Sequence, residues 1–153
     1  MGLWDKASSG GSNYEQNTIN ELCKTANMPI LQFTERGGIV NFIINNTRKQ
    51  QVHVELSASN NMPLVLIYSP ACELPERDLP PSKVILDIMA KVHNDPFMKW
   101  TVYLSKAGKF ILSCSAANFL DFFKPRIDVF SSYVRACAVL ADEVEKMTGQ
   151  DVF

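Results

Sequence analysis

The sequence predicts an α+β domain, a largely antiparallel sheet with helices packed on it, in the order α-β-β-β-(β)-α-β-β-α. Three observations carry this. Trp100, Val102 and Leu104 alternate with Lys99, Thr101, Tyr103 and Ser105, the period-two pattern of a strand with one buried face. Phe110, Leu112 and Cys114 repeat the pattern after a turn at Lys106 to Lys109. From Pro125 the period changes: Ile127, Phe130, Val134, Cys137, Ala141 and Val144 fall on one stripe of a long helix. Elsewhere, strands joined by hairpins occur in runs with helices between and after them, which argues helices laid on an antiparallel sheet.

Gly- and Ser-rich residues 1–12 predict a flexible tail in which Trp4 is the one candidate anchor. Position 6 is Lys, so the myristoylation pattern fails. Ser12 and Glu15 have capping-box spacing, and Ile19, Leu22, Cys23 and Ala26 then predict a helix over Tyr14 to Ala26, closed by Pro29. Leu31 and Phe33 open a strand, Gly37-Gly38 offers a two-residue hairpin turn, and Ile39 to Asn45 continues as a second strand. After a polar turn, Val52, Val54 and Leu56 alternate with His53 and Glu55, which places the last two on the wet face. Leu64 to Tyr68 is apolar throughout, as in a strand at the centre of a sheet. Four of the eight prolines fall within Ser69 to Pro81, which predicts an irregular connection there. Ser82 can cap a helix carrying Ile85, Ile88, Met89 and Val92, which Asn94 to Pro96 stops.

Composition narrows the function. A chain of 153 residues suits one domain, expected over residues 13–153, with a sizeable core. With 15 basic and 16 acidic side chains the net charge is −1, so a surface for nucleic acid is not favoured. Cys23, Cys72, Cys114 and Cys137 lack paired spacing, and a chain of this length needs no stapling; they read as buried thiols of a reducing compartment. No stretch is apolar enough to span a membrane and the N-terminal residues lack a signal-peptide apolar region, so a cytoplasmic protein is expected, with no integral membrane association.

Catalytic candidates are few. His93 sits where a helix C-terminus would hold it, and His53 shares a sheet face with Glu55, a pair too small for a metal site. No phosphate-binding glycine pattern or nucleophile elbow occurs, and Glu73, Glu76 and Asp78 alternate with Arg77 and Lys83 as in a solvated loop. Neither a catalytic residue, a metal nor a cofactor is expected. The densest apolar group is Phe119, Leu120, Phe122 and Phe123, between strand and helix, and an exposed patch there would mark a partner site. The last helix, about 22 residues and roughly 33 Å long, adds a second row of Tyr133, Leu140 and Met147, consistent with a homodimer interface.

The succession of Ile85 to Asn94, Pro96 to Ser105, Gly108 to Cys114 and Ala136 to Val144 resembles the YbjN family, whose members share the fold of type III secretion chaperones. The resemblance implies a compact, commonly dimeric α+β protein that holds or regulates partner polypeptides. The expected function is thus a non-enzymatic, chaperone-like or regulatory protein-binding module, with Phe119, Leu120, Phe122, Phe123, Tyr133 and Leu140 as partner-binding residues. The alternative is a small-ligand-binding or enzymatic domain with a pocket between sheet and helices, using Tyr68, Tyr103 or His53.

Overall fold

The computed structural model describes residues 13–57, 61–74, 83–90 and 98–149. The expected tail with Trp4, the stretch holding Glu76, Arg77 and Asp78, and the helix end at His93 lie outside the described residues. The elements are α1 (Tyr14–Thr25), β1 (Gln32–Thr34), β2 (Gly37–Asn45), β3 (Arg48–Ser57), β4 (Leu64–Leu74), α2 (Lys83–Ala90), β5 (Met98–Leu104), β6 (Phe110–Phe119), α3 (Leu120–Phe123) and α4 (Ile127–Thr148). The six strands form one antiparallel sheet in the order β1-β2-β3-β4-β6-β5. Because β6 lies antiparallel to both neighbours, β4 and β5 run the same way, joined by a crossover that contains α2.

One face of the sheet forms the core. Val40, Val52, Val54, Leu56, Val65, Ile67, Cys114 and Ala116 meet Ile19, Leu22 and Cys23 of α1 and Phe130, Val134, Cys137 and Ala138 of α4. Further along α4, Ala141 and Val144 pack with Ala71, Cys72, Leu74 and Leu112. The period-3.6 stripe read from Ile127 to Val144 is therefore the face that lies on the sheet. Toward the end of α4 a polar clamp joins helix to sheet. Arg48 Nε donates to Asp142 at 2.6 Å and its Nη2 to Glu145 at 3.4 Å, while Gln50 Nε2 donates to Glu145 at 3.1 Å and to the Pro70 carbonyl at 2.8 Å.

Four expectations change. Asn13 caps α1, its side-chain oxygen accepting from the Gln16 amide at 3.1 Å. Gly37 and Gly38 do not turn the first hairpin, because Glu35 and Arg36 do; the glycines begin β2. Their lack of a side chain serves close approach, since a Cβ on Gly37 would collide with the Val54 carbonyl oxygen and one on Gly38 with Ile30. The strand at Leu64 runs on to Leu74, over the first part of the expected loop, and a register shift between Pro70 and Cys72 accommodates the residue without an N–H; the rest of that loop lies outside the described residues. Finally, the Trp100, Val102, Leu104 face is covered only at its start: Met98 is buried, but Val102 is 42% and Leu104 61% exposed. β5 is the edge of the sheet, where the core thins out.

Candidate functional site

The phenylalanine cluster is mostly core. Phe119 closes β6, and the chain turns directly into α3, whose Leu120 and Phe123 are 2% and 0% exposed. The Phe123 ring meets Phe130 at 5.4 Å and Tyr133 at 5.1 Å, both edge to face, and Phe122 at 5.7 Å. Leu120 and Phe123 therefore cannot touch a partner, because their side chains fill the space between the sheet end and α4. Phe122 is half-buried beneath Arg126, whose guanidinium lies 4.6 Å from the ring centre. Phe119 stays 41% exposed, and Tyr133 and Leu140 are half-buried.

An opening lies on the other side of the sheet, opposite the face on which α1 and α4 pack. Strand alternation sends His53, Glu55, Leu66, Tyr68, Lys99, Thr101, Tyr103, Ser113, Ser115 and Ala117 to this face. The register sets His53, Tyr68, Ser115 and Lys99 in one row across four strands. β6 contributes only small residues here, while β4 and β5 on either side contribute tyrosines. The contrast in size leaves a hollow of 430 Å3 lined by Leu66, Tyr68, Thr101, Tyr103, Ser113 and Ser115, with Lys99 beside them. It is not the pocket expected between sheet and helices, yet it gathers two of the residues expected there, Tyr68 and Tyr103.

Side chains around the hollow are tied to one another. His53 stacks on Tyr68 with ring centres 4.6 Å apart, and Tyr68 meets Tyr103 edge to face at 6.0 Å. The Tyr68 hydroxyl donates to Glu55 Oε1 at 3.1 Å, and Arg36 reaches the same carboxylate at 3.9 Å. Thr101 and Ser113 share a hydrogen bond of 3.0 Å, and Ser115 donates to the Lys99 carbonyl at 3.2 Å. Burial lowers the His53 pKa below its ordinary 6.5 against the pull of Glu55, which keeps the ring neutral at pH 7. Burial, then the Glu55 charge, raises both phenols above their ordinary 10.0. His53, Tyr68 and Tyr103 thus present aromatic faces and neutral polar groups at pH 7, with the Glu55 carboxylate beside them. Among the described residues no cluster of three or more His, Cys, Asp or Glu side chains could hold a metal ion.

Sequence reading found Tyr68, Tyr103 and His53 but missed Ser113, Ser115 and Ala117, which make the hollow by being small. The available signal was the unbroken run of small residues on alternate positions of β6. It also missed the exposure of Val102 and Leu104 on β5, because apolar alternation reports a face fit for burial and not what covers it.

These features define an α+β protein whose antiparallel sheet carries α1 and α4 on one face and leaves a hollow in the other. Among solved structures the chain is similar to the crystal structure of YbjN from E. coli, described as a candidate transcription regulator. The two are 12% identical, the match covers 84% of this chain and 86% of that one, and the TM-score is 0.51. At that identity the likeness shows a shared fold, the one implied by the resemblance in the C-terminal half. No protein-family model and no curated protein matches the chain. No helix among the described residues is long and apolar enough to cross a membrane.

Proposed function

We propose that the protein is a non-enzymatic protein-binding module, chaperone-like or regulatory, that holds an extended segment of a partner polypeptide by strand addition along β5. One observation carries this reading: β5 is an edge strand with hydrogen-bonding groups to spare and an apolar face left open. The Ser105 amide donates inward to the Lys109 carbonyl at 2.8 Å. Backbone groups alternate sides along a strand, so Lys99, Thr101 and Tyr103 also bond inward to β6, whereas Trp100, Val102 and Leu104 direct N–H and C=O outward. Among the described residues nothing pairs with that outer side. Natural proteins blunt such edges with charge, proline or a bulge; β5 has Lys99 as its one charge, no proline and a regular register. Main-chain pairing would supply affinity and the alternate side chains specificity.

The module works in the cytoplasm in this reading and pairs with a second copy through Phe119, Phe122, Tyr133 and Leu140. The regulatory description of YbjN is compatible with action through such contacts. A photo-crosslinking residue at position 104 should capture a partner polypeptide, and Val102→Pro, which removes one outward N–H and leaves the inward ladder intact, should abolish capture. Equal capture with and without Val102→Pro removes the reading. A second reading, a small-ligand domain, is favoured by the 430 Å3 hollow and its grouped hydroxyls. It requires a small molecule whose binding Ser115→Arg blocks and Val102→Pro spares.

A further inference from the structure

We infer that β5 selects its segment by a fixed pattern: an apolar residue, then an aromatic one, any residue, then an acidic one. This rests on the strand-addition reading and deepens it. Because Trp100, Val102 and Leu104 carry the outward groups, an antiparallel strand added there forms its hydrogen-bonded pairs with these three. Its other residues face Tyr103, Thr101 and Lys99 in non-hydrogen-bonded pairs, where Cα atoms approach to about 4.5 Å and side chains meet most closely.

The chemistry of each partner then fixes each position. The residue opposite Val102 covers an apolar side chain that is 42% exposed, as a residue opposite Leu104 covers one 61% exposed. The next residue, opposite Thr101, points to the open face beside the hollow between Tyr68, Tyr103 and Ser113. With 430 Å3 between aromatic walls, the hollow has room for a single aromatic ring, which gains edge and face contacts there. Two residues further, opposite Lys99, an acidic side chain meets an amine that forms no ion pair among the described residues. The antiparallel direction places the aromatic residue before the acidic one, since Thr101 follows Lys99 on β5.

The probe is a fluorescein-labelled peptide, Thr-Ile-Thr-Val-Phe-Val-Glu-Thr, titrated into the full chain and followed by anisotropy. Replacing its Phe by Ala, or its Glu by Lys, should each weaken binding at least tenfold. The Lys99→Glu protein should reverse the charge preference, binding the Lys peptide better than the Glu peptide. Val102→Pro should abolish binding of every peptide, with far-UV circular dichroism showing that the variant remains folded. If Val102→Pro abolishes binding while the Phe and Glu replacements and Lys99→Glu change nothing, the selection pattern is wrong and strand addition stands. If the peptide binds equally to the Val102→Pro protein, strand addition itself fails. Absence of binding at millimolar peptide overturns the pattern, and capture at position 104 then decides the fate of strand addition alone.

Discussion

At the end of α4, Arg48 holds the polar clamp between helix and sheet. It is the near neighbour of two carboxylates, Asp142 and Glu145, whose residues are each only 1% exposed. Lys146 supplies Asp142 with a second cation at 2.9 Å, but from the solvent side. Arg48→Met therefore leaves buried negative charge poorly compensated, and a loss of about 3 kcal/mol in urea unfolding is expected. The same contacts set a pH dependence. Burial pushes the Asp142 carboxyl up, yet hydrogen bonds from Lys146 and Arg48, with their charges, outweigh it and hold the pKa below the ordinary 3.8. A carboxyl more acidic in the folded state contributes stability that is complete above 3.8 and is lost as pH falls through the folded value. The urea midpoint of the natural protein should thus fall on acidification below that point, and fall less steeply in Arg48→Met. A second contrast belongs to the phenylalanines. Phe123→Ala should cost about 3 to 5 kcal/mol through the cavity it opens among Phe130, Tyr133 and Phe122. Phe119→Ala, at the exposed end of β6, should cost less than about 1 kcal/mol. Equal losses would show that the two residues, four apart in the sequence, share one environment after all.

Among the elements, legibility followed the strength of the periodicity. The stripe of α4 was plain because six apolar positions at helical spacing admit no strand alternative, and α1 was plain apart from its cap. β4 was only half legible: Leu64 to Tyr68 reads as a strand, but Pro70 and Glu73 signal a loop in isolation. What overrides them is non-local, since β6 pairs with β4 along its length to Leu74 and a register shift takes up the proline. Gly37 and Gly38 misled for a similar reason. A glycine pair signals a turn, whereas here Gly37 is required by the neighbouring strand, which no local pattern reveals. The consequence is testable: Gly37→Ala should disturb the β2–β3 pairing, because the added carbon would collide with the Val54 backbone, and should cost at least about 1 kcal/mol in urea unfolding. Gly108, with φ of 78° in the β5–β6 turn and nothing near its Cβ position, should instead lose only the smaller cost of a strained backbone on replacement by Ala. The site was legible to the extent that it depends on single residues. Tyr68, Tyr103 and His53 could be named as polar candidates, but their meeting on one face needs the register of β3, β4, β6 and β5, and that register is a property of the assembled sheet.

In the whole molecule, the arrangement of helices on one face divides stability unevenly. β3, β4 and β6 lie inside the sheet with α4 across β3 and β4, so opening them means dismantling the core; β1 has three residues, and β5 is held by β6 alone among the described strands. A module that accepts a strand at β5 gains from this division, because its receiving edge can adjust while the centre stays fixed. The four cysteines provide a direct reading of the difference. Cys23 on α1, Cys72 on β4, Cys114 on β6 and Cys137 on α4 are all buried thiols outside any disulfide, one on each wall of the core. Burial pushes the Cys23 thiol up to about 12, and burial with the Glu145 charge pushes Cys72 up to about 11, so neither offers a thiolate at neutral pH. None can react with an aromatic disulfide reagent until the elements around it separate. Under native conditions the four should therefore be modified slowly and at the same rate, set by global unfolding and accelerated equally by low urea. A cysteine introduced at Leu104 should react at once. If Cys72 or Cys114 reacts ahead of Cys23 and Cys137 in the natural protein, the β4–β6 centre opens on its own, and the fixed platform beneath the β5 edge does not exist.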